Sequence, residues 1–116
     1  METTAALKAL GALAQETRLG IFRRLVQAGP GGLAAGAIGE ALDVPAPTLS
    51  FHLAQLANAG LVRSRQEGRF VFYSADFDAM NGLVGFLTEN CCGGNLCAPQ
   101  AAACGPTITT RKGTKR

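Results

Sequence analysis

Apolar residues recur every three or four positions through most of the first sixty residues, which predicts a run of short amphipathic helices. Leu7, Leu10, Leu13 and Ala14 set a short first helix, and Gln15-Glu16-Thr17-Arg18 interrupts it. Leu19, Phe22, Leu25 and Val26 set a second, with Arg18, Arg23 and Arg24 on its polar side. Ala28-Gly29-Pro30-Gly31-Gly32 stops that helix. Leu33 to Leu42 predicts a third helix through Ile38 and Leu42. Gly36 and Gly39 weaken it by about 1 kcal/mol each relative to alanine. Asp43-Val44-Pro45-Ala46-Pro47 is a turn, and Pro47 suits the first position of the next helix. That helix runs to about Ala59 on an inner stripe of Leu49, Leu53 and Leu56, and Gly60 closes it.

The period then changes. Val62 to Gln66 and Phe70 to Ser74 predict two short strands, joined by Gln66-Glu67-Gly68-Arg69 with Gly68 available for positive φ. Phe77, Met80, Leu83, Val84 and Leu87 mark a last helix. Beyond Asn90 the chain is rich in Gly, Ala, Pro and Thr and ends in basic residues. The expected organisation is a domain over 1–92 and a flexible tail over 93–116, ordered only where its cysteines bind something. Two short helices joined by a tight turn, then a hairpin, make a winged helix-turn-helix: mainly α, with a two-stranded β wing.

In such a unit the second helix of the pair enters the major groove. At about 100° per residue, Thr48, Phe51, Gln55 and Asn58 point outward, and Ser50 and His52 flank the core stripe. Thr48, Ser50, Phe51, His52 and Gln55 are therefore the candidate DNA-contacting residues of this helix, with Arg65 and Arg69 flanking the wing turn to reach phosphates or a minor groove. The plainer alternative for the polar positions is a solvated helix face. For His52, the only histidine, it is a hydrogen-bonding residue at the edge of the core.

Charge narrows how DNA could be held. The formal net charge is +3, but four positives lie within the last six residues. Residues 1–110 hold seven Lys/Arg against eight Asp/Glu, so DNA binding must come from local placement of arginines and not from a generally basic surface. The basic end is more commonly a solubilising segment than a DNA arm. A length of 116 residues supports one domain that gains from dimerisation, and the apolar stripe of the last helix suits a partner helix from a second copy or its own core. The apolar runs are too short to span a bilayer. No basic region precedes an apolar run at the N-terminus, which argues for a cytoplasmic protein.

All four cysteines lie between Cys91 and Cys104. In the cytosol they stay reduced, which favours ion binding or redox sensing over structural disulfides. Cys91 and Cys92 are adjacent, and Gly93-Gly94 lets the chain turn so that Cys97 can meet them. Three thiols suit a soft trivalent ion, As(III) or Sb(III), whereas structural zinc takes four ligands, and Cys104 is the available fourth. A thiol redox switch, or an ion that uses only two thiols, fits the same residues. No nucleophile–base pair, carboxylate pair or phosphate loop points to an enzyme or an organic cofactor.

Taken together, Leu13-Ala14-Gln15-Glu16-Thr17-Arg18-Leu19, the stretch from Leu42 to Leu53, Ala59-Gly60-Leu61-Val62 and the wing Gln66 to Tyr73 resemble the ArsR/SmtB family of metal-responsive repressors over about residues 5–92. The resemblance implies a homodimer built on the first and last helices. It places Leu7, Leu10, Met80, Leu83, Val84 and Leu87 at the pairing face, and implies that the apo dimer binds a near-palindromic operator and releases it on ion binding. Two departures matter. Residues 33–39 lack the cysteines that many arsenic sensors carry there, and the last helix lacks the histidine ligands of the zinc sensors. Cys91, Cys92 and Cys97 instead look like the branch whose arsenite site follows the last helix. A zinc- or cadmium-responsive repressor, a redox switch, and a metal-buffering tail on an unregulated DNA-binding protein are the alternatives.

Overall fold

The computed structural model describes residues 1–94. Five helices and one small sheet follow in the order α1 (Thr3–Leu13), α2 (Glu16–Ala28), β1 (Leu33–Ala34), α3 (Ala35–Leu42), α4 (Ala46–Asn58), β2 (Val62–Glu67), β3 (Phe70–Ala75) and α5 (Phe77–Leu87). A short 3-10 turn over Cys91–Gly94 follows. The chain divides into two units, Met1–Phe86 and Leu87–Arg116.

Ile21, Leu25, Ile38, Leu53, Leu56 and Leu61 are the largest fully buried side chains, so α2, α3, α4 and the start of the wing share one core. Each such aliphatic side chain contributes about 1.5–3 kcal/mol by leaving water. The first helix differs from the sequence reading in which side it buries. Its inner stripe is Ala6, Ala9 and Ala12, small enough for close packing, while Leu7 and Leu10 stay exposed. Gln15 starts α2 by accepting the Arg18 N–H at 2.8 Å.

The sheet has three antiparallel strands in the order β1-β3-β2, not the two expected. Leu33 and Ala34 do not begin a helix; they pair with Tyr73 and Phe72. This pairing is long-range, so no local pattern announces it. Gly32 makes the approach possible. It takes φ +72, and a Cβ there would collide with the Tyr73 carbonyl oxygen. In the hairpin Glu67 faces Phe70, leaving only Gly68 and Arg69 as the loop.

Candidate nucleic-acid interface and thiol pair

The turn between α3 and α4 is built for closeness. Asp43 adopts the left-handed region at φ 56, and the Val44 N–H donates to the Gly39 carbonyl at 2.9 Å. A Cβ on Gly39 would sit 3.1 Å from the Val44 oxygen and 3.3 Å from Leu49 Cδ2. A glycine that weakens α3 as a helix thus lets α4 pack against its end. Pro45 precedes the first turn of α4, and Pro47 lies within that turn, where a missing N–H leaves no broken bond.

Leu49, Leu53 and Leu56 anchor α4 inward. Thr48, Ser50, Phe51 and Gln55 lie exposed on the other side. His52 is a correction to the reading face: it is only 9 % exposed. Arg18 Nη1 lies 3.2 Å from His52 Nδ1. A guanidinium can only donate, so Nδ1 accepts and the ring proton belongs on Nε2. Arg18 Nε also donates to the Ala12 carbonyl at 2.7 Å. This arginine therefore ties the end of α1 and the start of α2 to α4. The sequence pattern had placed Arg18 on the polar side of α2, and no local signal pairs it with a residue 34 positions away.

The wing arginines also part company. Arg65 Nε donates to Glu67 at 2.7 Å, its Nη1 donates to the Gly31 carbonyl at 3.1 Å, and its guanidinium stacks 4.9 Å over the Phe72 ring, its cross-strand neighbour. Arg65 braces the wing against the loop before β1. Arg69 stands exposed in the hairpin loop. Arg63 pairs with Asp76 at 3.1 Å.

Asp76 is a residue the pattern reading missed, although Asp just before a periodic apolar segment is a helix-start signal. Its Oδ1 accepts the Ala79 N–H at 3.0 Å and so caps α5. That bond holds its carboxyl below the ordinary value; partial burial opposes the effect, and the Arg63 guanidinium adds to it.

On α5, Leu83 is buried in the chain's own core, and Met80, Leu83 and Val84 line an apolar groove of about 480 Å³ with Leu13, Leu19, Phe22 and Val26. Leu83 is thus an intrachain core residue and not part of an open pairing face. Val84 and Leu87 are exposed, as are Leu7 and Leu10 on α1.

The last helix stops at Leu87, and Asn90 takes φ +58. The Cys91 N–H donates to the Thr88 carbonyl at 3.0 Å. Cys92 sits in the left-handed region at φ 56, and the Cys91 and Cys92 sulfurs lie 3.7 Å apart, both exposed. Two thiolates bound at about 2.3 Å to one tetrahedral ion would stand about that far apart. Cys97, Cys104 and the basic end lie outside the described residues. Among the described residues no group of three His, Cys, Asp or Glu is arranged to hold a metal, and no helix is long and apolar enough to cross a membrane.

Residues 13–65 match a helix-turn-helix domain family. The transcriptional activator HlyU of Vibrio cholerae is 33 % identical over 86 residues, spanning 74 % of this chain and 77 % of that protein. The arsenical resistance operon repressor of Escherichia coli is 43 % identical over 61 residues, covering 53 % of this chain and 50 % of that protein. Among solved structures, an ArsR-like transcriptional regulator from Rhodococcus sp. RHA1 superposes with TM-score 0.64 at 28 % identity, over 72 % of this chain and 76 % of the other. The homodimeric winged helix-turn-helix domain of Mb0332 from Mycobacterium bovis, a possible ArsR-family regulator, gives 0.61 at 30 % identity over 75 % and 81 %.

Proposed function

The chain belongs to the ArsR family of helix-turn-helix transcriptional regulators, and from that premise we propose that it is a dimeric repressor whose C-terminal thiols take up trivalent arsenic or antimony and so release operator DNA. The observation that carries the inducer is the Cys91–Cys92 pair, with sulfurs 3.7 Å apart just beyond α5. Similarity to the E. coli arsenical resistance operon repressor supports both the metalloid and the repression.

Thr48, Ser50, Phe51 and Gln55 on α4 meet base edges, and Arg69 at the wing tip meets phosphate. Dimerisation covers Leu7 and Leu10 of α1 with Val84 and Leu87 of α5, large apolar side chains now exposed. Two α4 helices can then reach major grooves one helical turn apart. Cys91, Cys92 and Cys97 would hold the inducer, which supplies a centre that binds three thiolates. Capture of the inducer at these thiols would shift the pairing of the two copies, and with it the spacing of the two α4 helices. The coupling required is about 1–3 kcal/mol, and operator DNA must weaken inducer binding by the same factor.

Fluorescence anisotropy of the reduced, metal-free protein on its own promoter DNA tests this, with arsenite and zinc titrated separately. Release by arsenite and not by zinc is the expected result. Release by zinc or cadmium alone would instead indicate a four-sulfur site with Cys104. No release by either, with DNA tightly bound, would leave an oxidant switch or an unregulated DNA-binding protein with a metal-buffering tail.

A further inference from the structure

Phe51 is out of place on a polar face. It is 57 % exposed, between Thr48 and Gln55, one turn to either side. A phenyl ring has no donor for a phosphate and no hydrogen bond for a base edge. In the major groove of DNA the one apolar group on offer is the C5-methyl of thymine.

The ring is also held before DNA arrives. It meets the His52 imidazole edge-on, with centroids 5.4 Å apart and planes at 65°. His52 is itself fixed by burial and by Arg18, which is anchored on the Ala12 carbonyl. The hydrogen bonds Ala12–Arg18–His52 thus run from the end of α1 to the imidazole that the exposed phenyl ring meets. Ordering the ring beforehand reduces what must be ordered on binding. Next to it on the exposed face is the Ala54 methyl, and Gln55 carries a side-chain amide of the kind that can bond adenine N6 and N7 together.

We infer that Phe51 is a specificity-determining residue that reads the C5-methyl of one thymine in each operator half-site, within an A·T step shared with Gln55. The inference rests on the DNA-binding reading above. It makes affinity depend on a methyl group that takes no part in base pairing.

The test is an anisotropy scan of promoter DNA in which each thymine is replaced in turn by deoxyuridine, symmetrically in both half-sites. Deoxyuridine keeps the base pair and the O4 acceptor and lacks only the methyl. Wild-type protein is expected to bind about fifteenfold more weakly when one particular thymine loses its methyl in both half-sites, about fourfold for each methyl. Phe51→Ala is expected to bind more weakly overall and equally to thymine and deoxyuridine at that position. Phe51→Leu should restore part of the difference, since an aliphatic side chain still covers a methyl. The inference is overturned if no thymine in the scan matters to wild-type protein, or if Phe51→Ala keeps the full discrimination. If the protein binds its promoter no better than unrelated DNA, the sequence-specific DNA-binding reading itself falls, and this inference with it.

Discussion

In the reading unit α4 is gripped on one side by Leu49, Leu53 and Leu56 and tied through His52 to Arg18, whereas Cys91 and Cys92 lie exposed after a helix that has already ended. The first region has its geometry before any ligand arrives. In the second, burial fixes nothing, and two residues, Asn90 and Cys92, stand in the left-handed region. The difference matches the division of labour proposed here. A base reader gains from being fixed in advance, and a sensor gains from taking its shape from what it binds.

Two alanine substitutions put the contrast to its strongest test. Gly32 and Gly93 both have positive φ, at +72 and +69. At Gly32 an added Cβ also strikes the Tyr73 carbonyl, while at Gly93 nothing described lies within 4 Å. Gly32→Ala should cost about 2 kcal/mol or more and lower the melting temperature by roughly 10 °C. Gly93→Ala should melt as wild type does, its strain being relieved locally. Equal melting temperatures for the two variants would show that the β1–β3 approach is looser than described.

A smaller effect comes from the cap that starts α5. Asp76→Ala should cost about 1 kcal/mol at neutral pH. Because folding lowers the Asp76 pKa, its contribution is complete above the ordinary value of 3.8 and is lost as pH falls below that through the lower folded value. In chemical denaturation the gap between wild type and Asp76→Ala should therefore hold from neutral pH to about 4 and close below it. A gap that widened in acid would contradict the capping role.

The smallest effect separates the two wing arginines. Arg69→Ala should reduce the salt slope of DNA binding by about one. Arg65→Ala should leave the slope near wild type, since its guanidinium is committed to Glu67, Gly31 and Phe72. An equal loss of slope from Arg65→Ala would mean that those intrachain bonds yield to phosphate.

Much of this region is written in local pattern. The inner stripe of α4, the hairpin and the turn at Asp43 follow from spacing and from glycine and proline placement, and the structure has them within a residue or two. What the pattern hid depends on distant partners. Leu33–Ala34 is a strand only because Tyr73 and Phe72 lie beside it. Arg18 and His52 find each other across 34 residues, which turns a candidate groove contact into a brace. In α1 the leucine stripe drew attention, yet alanines fill the close-packed side and leave the leucines for another surface. The adjacent cysteines are plain from sequence, but the positive φ of Asn90 and Cys92 is not.

The most direct measurement compares wild type and Cys91→Ser for promoter affinity with and without arsenite, by anisotropy under reducing conditions. Equal affinities are expected without arsenite, because Cys91 is exposed and outside the reading unit, and release by arsenite is expected in the wild type alone. Release of both proteins alike, or of neither, would contradict release through these thiols.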